Sequence, residues 1–405
     1  MLYRLEVENF YSIRDRQVID LRVARNTPNE DGRLAPIWQG AAERAPKVVA
    51  FFGANASGKS NVLKALPFLA WFLRSSFQAA PDAWMQYAPF QDDVMSDRPT
   101  RLAFSCAGPA DPHRAGAPDV VPCEYAYEVS LIGPAMQPQR VLSESLTYRP
   151  PGASRSIRLF ERDEDGHVRP GRALDLAEYD KVLDKILRPN ASVISTLAQL
   201  NQPFATMLSN VWALVNANIF VERTDYAEGE VARYYASNDQ HLKRLNRELA
   251  RLDLGIKAMH VQQSGLGPTL RFEHVGLFGP LPRQMESNGT WQFVKLFPLL
   301  IRALEAGGIA VVDELDQAIH PLVLPEILSW FRDPEDNPHD AQLWISGQNA
   351  SLLEDLSKEE AFLCEKNSAG ATHVYGLRDI MSVRRDDNYY RKYLGGVYGA
   401  VPHVA

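Results

Sequence analysis

Cysteine is scarce in this 405-residue chain: there are three, Cys106, Cys123 and Cys364. They are odd in number and far apart, which leaves no disulfide framework and no closely spaced metal pair, and the setting expected is the reducing cytoplasm. Long apolar runs are missing too. The longest, Ala65 to Leu73, has nine residues and contains Pro67, against the roughly 20 that a membrane-spanning helix needs. The opening MLYRLEVENF alternates apolar and charged residues without an apolar signal core, so secretion is not expected and no membrane partner is inferred. Positive charge is not in excess: 43 Lys and Arg face 50 Asp and Glu, for a net charge of −7. That balance argues against coating nucleic acid through bulk charge, although a local basic patch would still serve. The nine histidines form no HxxxH or HExxH pattern, and there is no GxSxG. Zinc chemistry and a Ser- or Cys-based nucleophile therefore have no support.

What is present is the composition of a globular protein, 45% hydrophobic and 23% charged, with length for two domains or one large domain carrying insertions. Period-two segments at Leu2–Glu8 and Gln17–Leu21 read as strands, residues 24–46 as loop, and Lys47–Phe52 as a buried strand running into a helix from Asn61. From 100 to 165 the period stays at two between Gly-Pro breaks, predicting an antiparallel lobe. From 174 to 256 the pattern is helical with interruptions. Asn238–Asp253 reads there as a solvated helix whose Lys243, Arg247 and Arg251 form one basic face. DNA contact at that face is an alternative to plain solvation. Strand-like segments resume at 258–275. Strands at Ile309–Val312, Gln342–Ser346 and Ala361–Glu365 then alternate with helical stretches at 320–332 and 350–357, the pattern of a parallel sheet with crossovers. Trp71, Trp84, Trp291 and Trp330 fall in apolar helical patterns and are read as core. The expected division is an N-terminal core segment (1–99), an antiparallel β lobe (100–170), a helical insertion (171–258), a second core segment (259–378) and a tail (379–405).

The chemistry begins at Gly53-Ala-Asn-Ala-Ser-Gly58-Lys59-Ser60, which fits GxxxxGK[ST] at every fixed position and lies between a buried strand and a helix. In such a loop the backbone N–H groups and the helix N-terminus surround phosphate, with Asn55, Ser57 and Asn61 about them. Lys59 reaches the terminal phosphates, and the Ser60 hydroxyl ligates Mg²⁺. A second carboxylate must complete the metal shell and another must orient water. Asp313 and Glu314, at the end of the apolar strand Ile309–Val312, supply them, with Asp313 toward the metal and Glu314 toward the water. Read alone, the pair is equally a helix cap. ATP and Mg²⁺ are the expected ligands.

Lys59 and Asp313 are separated by 253 residues, and Glu286-Ser287-Asn-Gly289-Thr290 stands shortly before the acidic strand. That arrangement resembles the ABC-type ATPase superfamily, in which a Ser-x-Gly signature opening a helix caps the γ-phosphate held by the opposite subunit. A turn with an N-cap is the other reading of Ser287 and Gly289. LEVENFYSIRD resembles the first strands of RecF, SMC and OLD ATPases. Glu314-Leu-Asp316-Gln-Ala-Ile-His320-Pro321 is similar to the acidic motif, D-loop and following HP of OLD-like and abortive-infection ATPases. Leu343-Trp-Ile-Ser346-Gly-Gln348-Asn349 aligns with the switch strand, and Tyr393, Gly395 and Gly399-Ala-Val-Pro402 resemble the tail of AbiL-type (RloA-like) ATPases. The resemblance implies an α/β P-loop NTPase, an ABC-ATPase-like head with an antiparallel β lobe and a helical insertion. It implies nucleotide contacts at Ser287, Gly289 and Asp316, a homodimer or higher homo-oligomer, and a separately encoded effector, a nuclease or toxin, in an anti-phage system. One departure stands out: Gln348 occupies the switch-histidine position and cannot carry a proton, which predicts slow turnover. Gln91, in Pro89-Phe-Gln-Asp92, is a Q-loop candidate and equally a plain loop residue. Arg384, Arg385, Arg391 and Lys392, interleaved with acids and tyrosines, suit protein docking as well as phosphate. A RecF- or SMC-like DNA-maintenance ATPase and a weakly hydrolysing ATP-dependent scaffold are the rival readings.

Overall fold

The computed structural model describes residues 1–402 apart from 115–118, 120, 175, 211–213, 218, 220–227, 253–254, 266, 318 and 320–322. His320 and Pro321 therefore lie outside the described residues. Two sheets dominate. The first is mixed, in the order Val215–Ala217, Ile309–Val312, Gln342–Ser346, Val48–Phe52, Ala361–Lys366 and Thr372–Gly376. Its first five strands are parallel and the last is antiparallel. Val48–Phe52 and Gln342–Ser346 are buried at every position, as strands covered on both faces must be.

Strand alternation sends successive side chains to opposite faces, and the core divides accordingly. Val49, Phe51, Ile309, Val311, Trp344 and Phe362 face one apolar cluster, with helix Lys59–Ser75 and the second sheet. Val48, Ala50, Phe52, Ala310, Val312, Leu343 and Ile345 face the other, with helices Asn288–Ala306 and Leu324–Arg332. The second sheet is wholly antiparallel, with seven strands in the order Val168–Pro170, Ile157–Arg162, Arg140–Arg149, Pro122–Ile132, Thr100–Pro109, Leu2–Glu8 and Gln17–Asp20. The buried Gln342 side chain joins the two sheets. Its Oε1 accepts the Leu2 N–H at 2.9 Å, and its Nε2 donates to the carbonyls of Leu2 and Pro46.

The fold is thus the α/β class with an antiparallel lobe. Several local expectations need correction. Residues 24–46 contain a small antiparallel pair, Leu34–Pro36 with Arg44–Pro46. The 350–357 segment is a 3₁₀ turn over Ala350–Glu354. Trp84 is 47% exposed and lies in a loop, not in the core, because its neighbours form no helix that could pack it. The basic helix, Asp239–Arg251, is not wholly solvated either, since Leu245 and Leu249 are fully buried. Three of its four cations are engaged: Lys243 pairs with Asp239 at 2.6 Å, Arg244 with Asp336 at 2.6 Å, and Arg251 with Glu248 and Glu326 at 2.8 and 2.7 Å.

The antiparallel lobe is fastened to helix Val193–Gln199 by one buried carboxylate. Glu144 accepts the Val193 N–H and the Tyr127 hydroxyl at 2.9 Å each, and Arg162 lies 3.8 Å away. Burial pushes the Glu144 pKa up despite the guanidinium. Removing one member of a buried charge pair typically costs about 3–5 kcal/mol, because the remaining ion is left uncompensated. Glu144→Ala is therefore expected to destabilise the protein by about that amount in urea unfolding, and a loss below about 1 kcal/mol would show the network to be dispensable.

Candidate functional site

Three neighbouring parallel strands end side by side, and each delivers one part of the site. Val48–Phe52 runs into the glycine-rich loop, Ile309–Val312 into Asp313 and Glu314, and Gln342–Ser346 into Gly347, Gln348 and Asn349. The carboxyl ends of parallel strands are where such sheets bind ligands.

The loop itself is closely braced. Gly53 and Gly58 have φ of +153° and +104°. A Cβ on Gly53 would come within 2.2 Å of the Cys364 carbonyl oxygen, and one on Gly58 within 2.1 Å of Thr372 Oγ1. Only glycine fits both, on space and on backbone conformation. Thr372 Oγ1 donates to the Ser57 carbonyl at 2.9 Å and lies 2.8 Å from Ser12 Oγ, which in turn accepts from Asn61 Nδ2 at 2.7 Å. Ser12 and Thr372 are functional supports that sequence reasoning missed. They come from distant segments, and a lone Ser or Thr carries no pattern.

Among the described residues, the N–H groups of Asn55, Ala56, Gly58, Lys59 and Ser60 have no protein acceptor. The Ser57 hydroxyl is buried and likewise lacks a partner there. Lys59 is buried, and its ammonium donates to the carbonyls of Gly53 and Ala54 at 2.8 and 3.1 Å. Burial lowers its pKa, opposed in part by Cys364, Asp313, Glu314 and Asp316. Unpaired N–H groups converging at a helix start, beside a buried cation, form a receptor for a multiply charged anion. Ser60, half-buried, sits at the second position of helix Lys59–Ser75.

The acidic strand and the switch strand are locked together. Ser346 Oγ donates to Asp313 Oδ1 and accepts the Glu314 N–H at 2.8 Å. Glu314 has φ of +53°, a left-handed conformation that costs a side-chain-bearing residue about 1–2 kcal/mol. Gln348 Nε2 donates to Glu314 Oε1 at 3.0 Å. Asp316 Oδ2 accepts the backbone N–H of Gln348, at 2.7 Å, and of Asn349, while its Oδ1 is buried without a hydrogen-bond partner. Asp316 thus shapes the switch loop from beneath. Ser287 is the N-cap of helix Asn288–Ala306, accepting the Thr290 N–H at 3.0 Å, and Gly289 lies in its first turn. Gln91 is exposed in a loop and donates to the Pro89 carbonyl at 2.9 Å. The structure therefore brings Lys59, Asp313, Glu314, Asp316 and Gln348 together. Among the described residues, Ser287, Gly289 and Gln91 make no hydrogen bond to that group.

The donor set suits Mg²⁺, a hard cation held by hydroxyl and carboxylate oxygens. Ser60 and Asp313 are of that type, and the loop N–H groups without a protein acceptor are the donors a phosphate chain requires.

The tail also reaches the site. The Ala400 carbonyl accepts the Ala54 N–H at 3.1 Å, and the Ala400 N–H donates to Glu365 Oε2 at 3.1 Å. Tyr375 OH holds the Tyr398 carbonyl at 2.8 Å.

Comparison with known proteins agrees with a nucleotide-handling class. Residues 140–346, just over half of the chain, match the family described as "AAA domain, putative AbiEii toxin, Type IV TA system", and the chain belongs to that AAA-domain family. The match begins after the glycine-rich loop and ends at Ser346. Solved structures with some similarity include an Smc head bound to the C-terminal winged-helix domain of ScpA, at 11% identity and TM-score 0.46, covering 94% of this chain and 99% of that one. The SMC head domain from Thermotoga maritima has 14% identity and TM-score 0.39 over 93% and 98%. A Pyrococcus furiosus Smc head with an extended coiled coil, bound to the C-terminal domain of ScpA, has 12% and 0.41 over 94% and 98%. No curated protein matches the sequence. No helix among the described residues is long and apolar enough to cross a membrane.

Ser346→Ala would strip Asp313 of a donor and the Glu314 N–H of its acceptor. A loss of about 1–3 kcal/mol in unfolding free energy is expected, the cost of buried groups left unpaired. Nucleotide affinity should be kept, because the phosphate loop is untouched. Urea unfolding and ATP titration of the same preparation read both.

Proposed function

We propose that this protein is an ABC-type ATPase whose ATP-dependent closure as a homodimer controls a separately encoded effector in an anti-phage, abortive-infection setting. The observation that carries the catalytic part is the hydrogen-bonded junction of three strand ends, which joins the anion loop, the acidic pair and the switch glutamine. The family's own description names an AbiEii toxin and a type IV toxin–antitoxin system, and the resemblance of the tail to AbiL-type ATPases points the same way.

In this reading the free N–H groups of the loop hold the phosphate chain of ATP, and Lys59 leaves the Gly53 and Ala54 carbonyls for the terminal phosphates. Ser60 and Asp313 would hold Mg²⁺, which supplies charge neutralisation on the phosphates. Glu314, whose carboxylate Gln348 holds at 3.0 Å, orients the attacking water in line with the terminal phosphorus. Ser287 and Gly289 of a second copy close the site from the other side, presenting a helix N-terminus to the γ-phosphate.

A second reading is favoured by the Gln348 contact. An amide donating to Glu314 fixes where that carboxylate points. Gln348 itself relays no proton. Turnover is then slow, and ATP acts mainly as a clamp that holds the assembly closed. Direct DNA maintenance is less favoured, because three of the four cations on the basic helix are ion-paired.

Lys59→Ala is expected to abolish measurable ATP binding, and Glu314→Gln to keep binding while lowering hydrolysis at least a hundredfold. Tagged Glu314→Gln recovered from its host cells in Mg²⁺-ATP should carry a stoichiometric protein partner that leaves when ATP is withdrawn. DNA without such a protein would overturn the effector reading. ATP binding should also weaken as pH rises from the lowered Lys59 value toward the ordinary 10.5. In that interval the free lysine is neutral and must take up a proton to meet phosphate. Calorimetry in buffers of different ionisation enthalpy measures that uptake.

A further inference from the structure

Helix Asn288–Ala306 carries a proline in its interior, Pro298. Proline has no N–H, so the carbonyl four residues back, at Val294, loses its helical donor. The fold supplies another: the hydroxyl of the buried Tyr235 donates to the Val294 carbonyl at 2.8 Å. Tyr235 belongs to helix Glu228–Ser237, so the interruption pins the two helices together. Beside that point lies a cleft of about 460 Å³ lined by both helices, a volume within the roughly 300–1,000 Å³ of small-molecule sites. Among the described residues, none from the glycine-rich loop, the acidic pair or the switch segment lines it.

The lining is predominantly cationic. Lys295, Leu299 and Arg302 recur at helical spacing along one face of Asn288–Ala306, and Arg233 lines the cleft from the other helix. Lys295 is only 8% exposed and its ammonium lies 5.7 Å from the Trp291 ring centroid. Arg233 and Arg302 are exposed, and neither forms an ion pair with a described residue. Pro298 and Leu299 add apolar surface, and Tyr234 an aromatic ring. The Tyr234 hydroxyl is hydrogen-bonded to His241 Nδ1, and His241 Nε2 meets Glu305 at 2.8 Å, which fixes that side of the cleft. Among the described lining residues Glu230 is the single carboxylate.

We infer that this cleft binds a small phosphate monoester whose body carries hydrogen-bond donors, a molecule of the size of a nucleoside monophosphate or a sugar phosphate. Three cations against one carboxylate suit a dianion, and a phosphate monoester carries about −1.5 to −2 at pH 7. Guanidinium groups meet phosphate oxygens in pairs, through a planar fork that an ammonium lacks. Arg233 and Arg302, on different helices, therefore hold the phosphate from two sides, and Lys295 adds charge from the floor. An ionised Glu230 accepts hydrogen bonds and donates none. It repels the phosphate and accepts from a hydroxyl or amino group, which sets the direction of the ligand and disfavours a bare anion. Pro298, Leu299 and Tyr234 cover the remaining body. The site does not depend on the phosphate loop, yet it bears on the same helix: Ser287 caps the start of Asn288–Ala306, and the other end leads into the strand before Asp313. A ligand bridging the two helices holds that helix at its proline, between those ends.

Calorimetry on the Lys59→Ala chain tests this, since the phosphate loop then takes up no nucleotide. The probes are AMP, ribose 5-phosphate and inorganic phosphate. AMP or ribose 5-phosphate is expected to bind once per chain, at least tenfold tighter than inorganic phosphate. Arg233→Gln and Arg302→Gln should each weaken that binding at least tenfold without moving the melting temperature of the free chain, because both side chains are exposed. Glu230→Gln should shrink the preference over inorganic phosphate. Equal binding of AMP and ribose 5-phosphate assigns the site to sugar phosphates, and binding of AMP alone to nucleotides. Failure of both to bind, inorganic phosphate binding as tightly as either, or binding that survives both arginine substitutions would each overturn the site. So would duplex DNA that binds through the same arginines and is not displaced by AMP, because the cations would then serve a nucleic-acid backbone. A chain that binds AMP here but never hydrolyses ATP would overturn the ATPase reading alone.

Discussion

The Ser346 hydroxyl is the link on which the site's geometry depends. It sits at the end of a strand buried at every position and spends its two hydrogen-bonding capacities on adjacent residues of the neighbouring strand. Asp313 is held by its carboxylate and Glu314 by its backbone. The Glu314 N–H bond offsets the left-handed conformation of that residue, and this conformation turns the side chain toward Gln348. A hydrogen bond of this kind is worth about 0.5–1.5 kcal/mol net, and rather more when the alternative is a buried unpaired group. That is comparable with the 1–2 kcal/mol typical of a left-handed residue other than glycine. The constraint behind it is the sheet. Parallel strands covered on both faces have no side open to solvent, so chemistry is confined to their carboxyl ends, and adjacent strands must share one small volume.

Legibility in the sequence followed the range of the interactions involved. The strand Val48–Phe52, the loop after it and the Asp313–Glu314 pair are read from contiguous residues, because one backbone geometry demands one local pattern. The antiparallel lobe was legible for the same reason, since alternation is local. The bracing roles of Ser12, Thr372 and Ser346 were not. Each is a single hydroxyl whose partner lies tens to hundreds of positions away, and nothing in the neighbouring residues announces it. Trp84 misled because an apolar neighbourhood in sequence need not become a helix face, and the basic helix because Leu245 and Leu249 supply a buried side that the lysine and arginine spacing hides. Asp316, read from a resemblance as a nucleotide contact, is seen holding the N–H groups of Gln348 and Asn349 in place.

The chain's two ends converge on the same loop, and this gives the domain its unity despite the long insertion. Ser12 braces the loop from the N-terminal hairpin, Thr372 from the edge strand and Ala400 from the tail. Gln342 meanwhile ties Leu2 to the switch strand at its other end. Any segment that moves the tail therefore acts on the Ala54 N–H, and any motion of the switch strand is felt by the N-terminal strand. Such short paths between surface and site are what a protein needs if nucleotide state is to be communicated outward, because packed elements shift as units and deform little internally.

Gln348 decides how that communication would be timed. A histidine at this place could accept and release a proton as the phosphate departs, whereas an amide holds its hydrogen-bond pattern through the whole cycle. Its amide donates to Glu314 Oε1 at 3.0 Å. The same contact fixes where the carboxylate points. In the proposed cycle, an arrangement that positions water well but whose glutamine relays no proton would lengthen the time spent closed around ATP. For a motor that would be a defect. For a protein whose output is the presence or absence of a closed assembly, a long-lived closed state is the useful property, and the switch glutamine is consistent with selection for duration over rate.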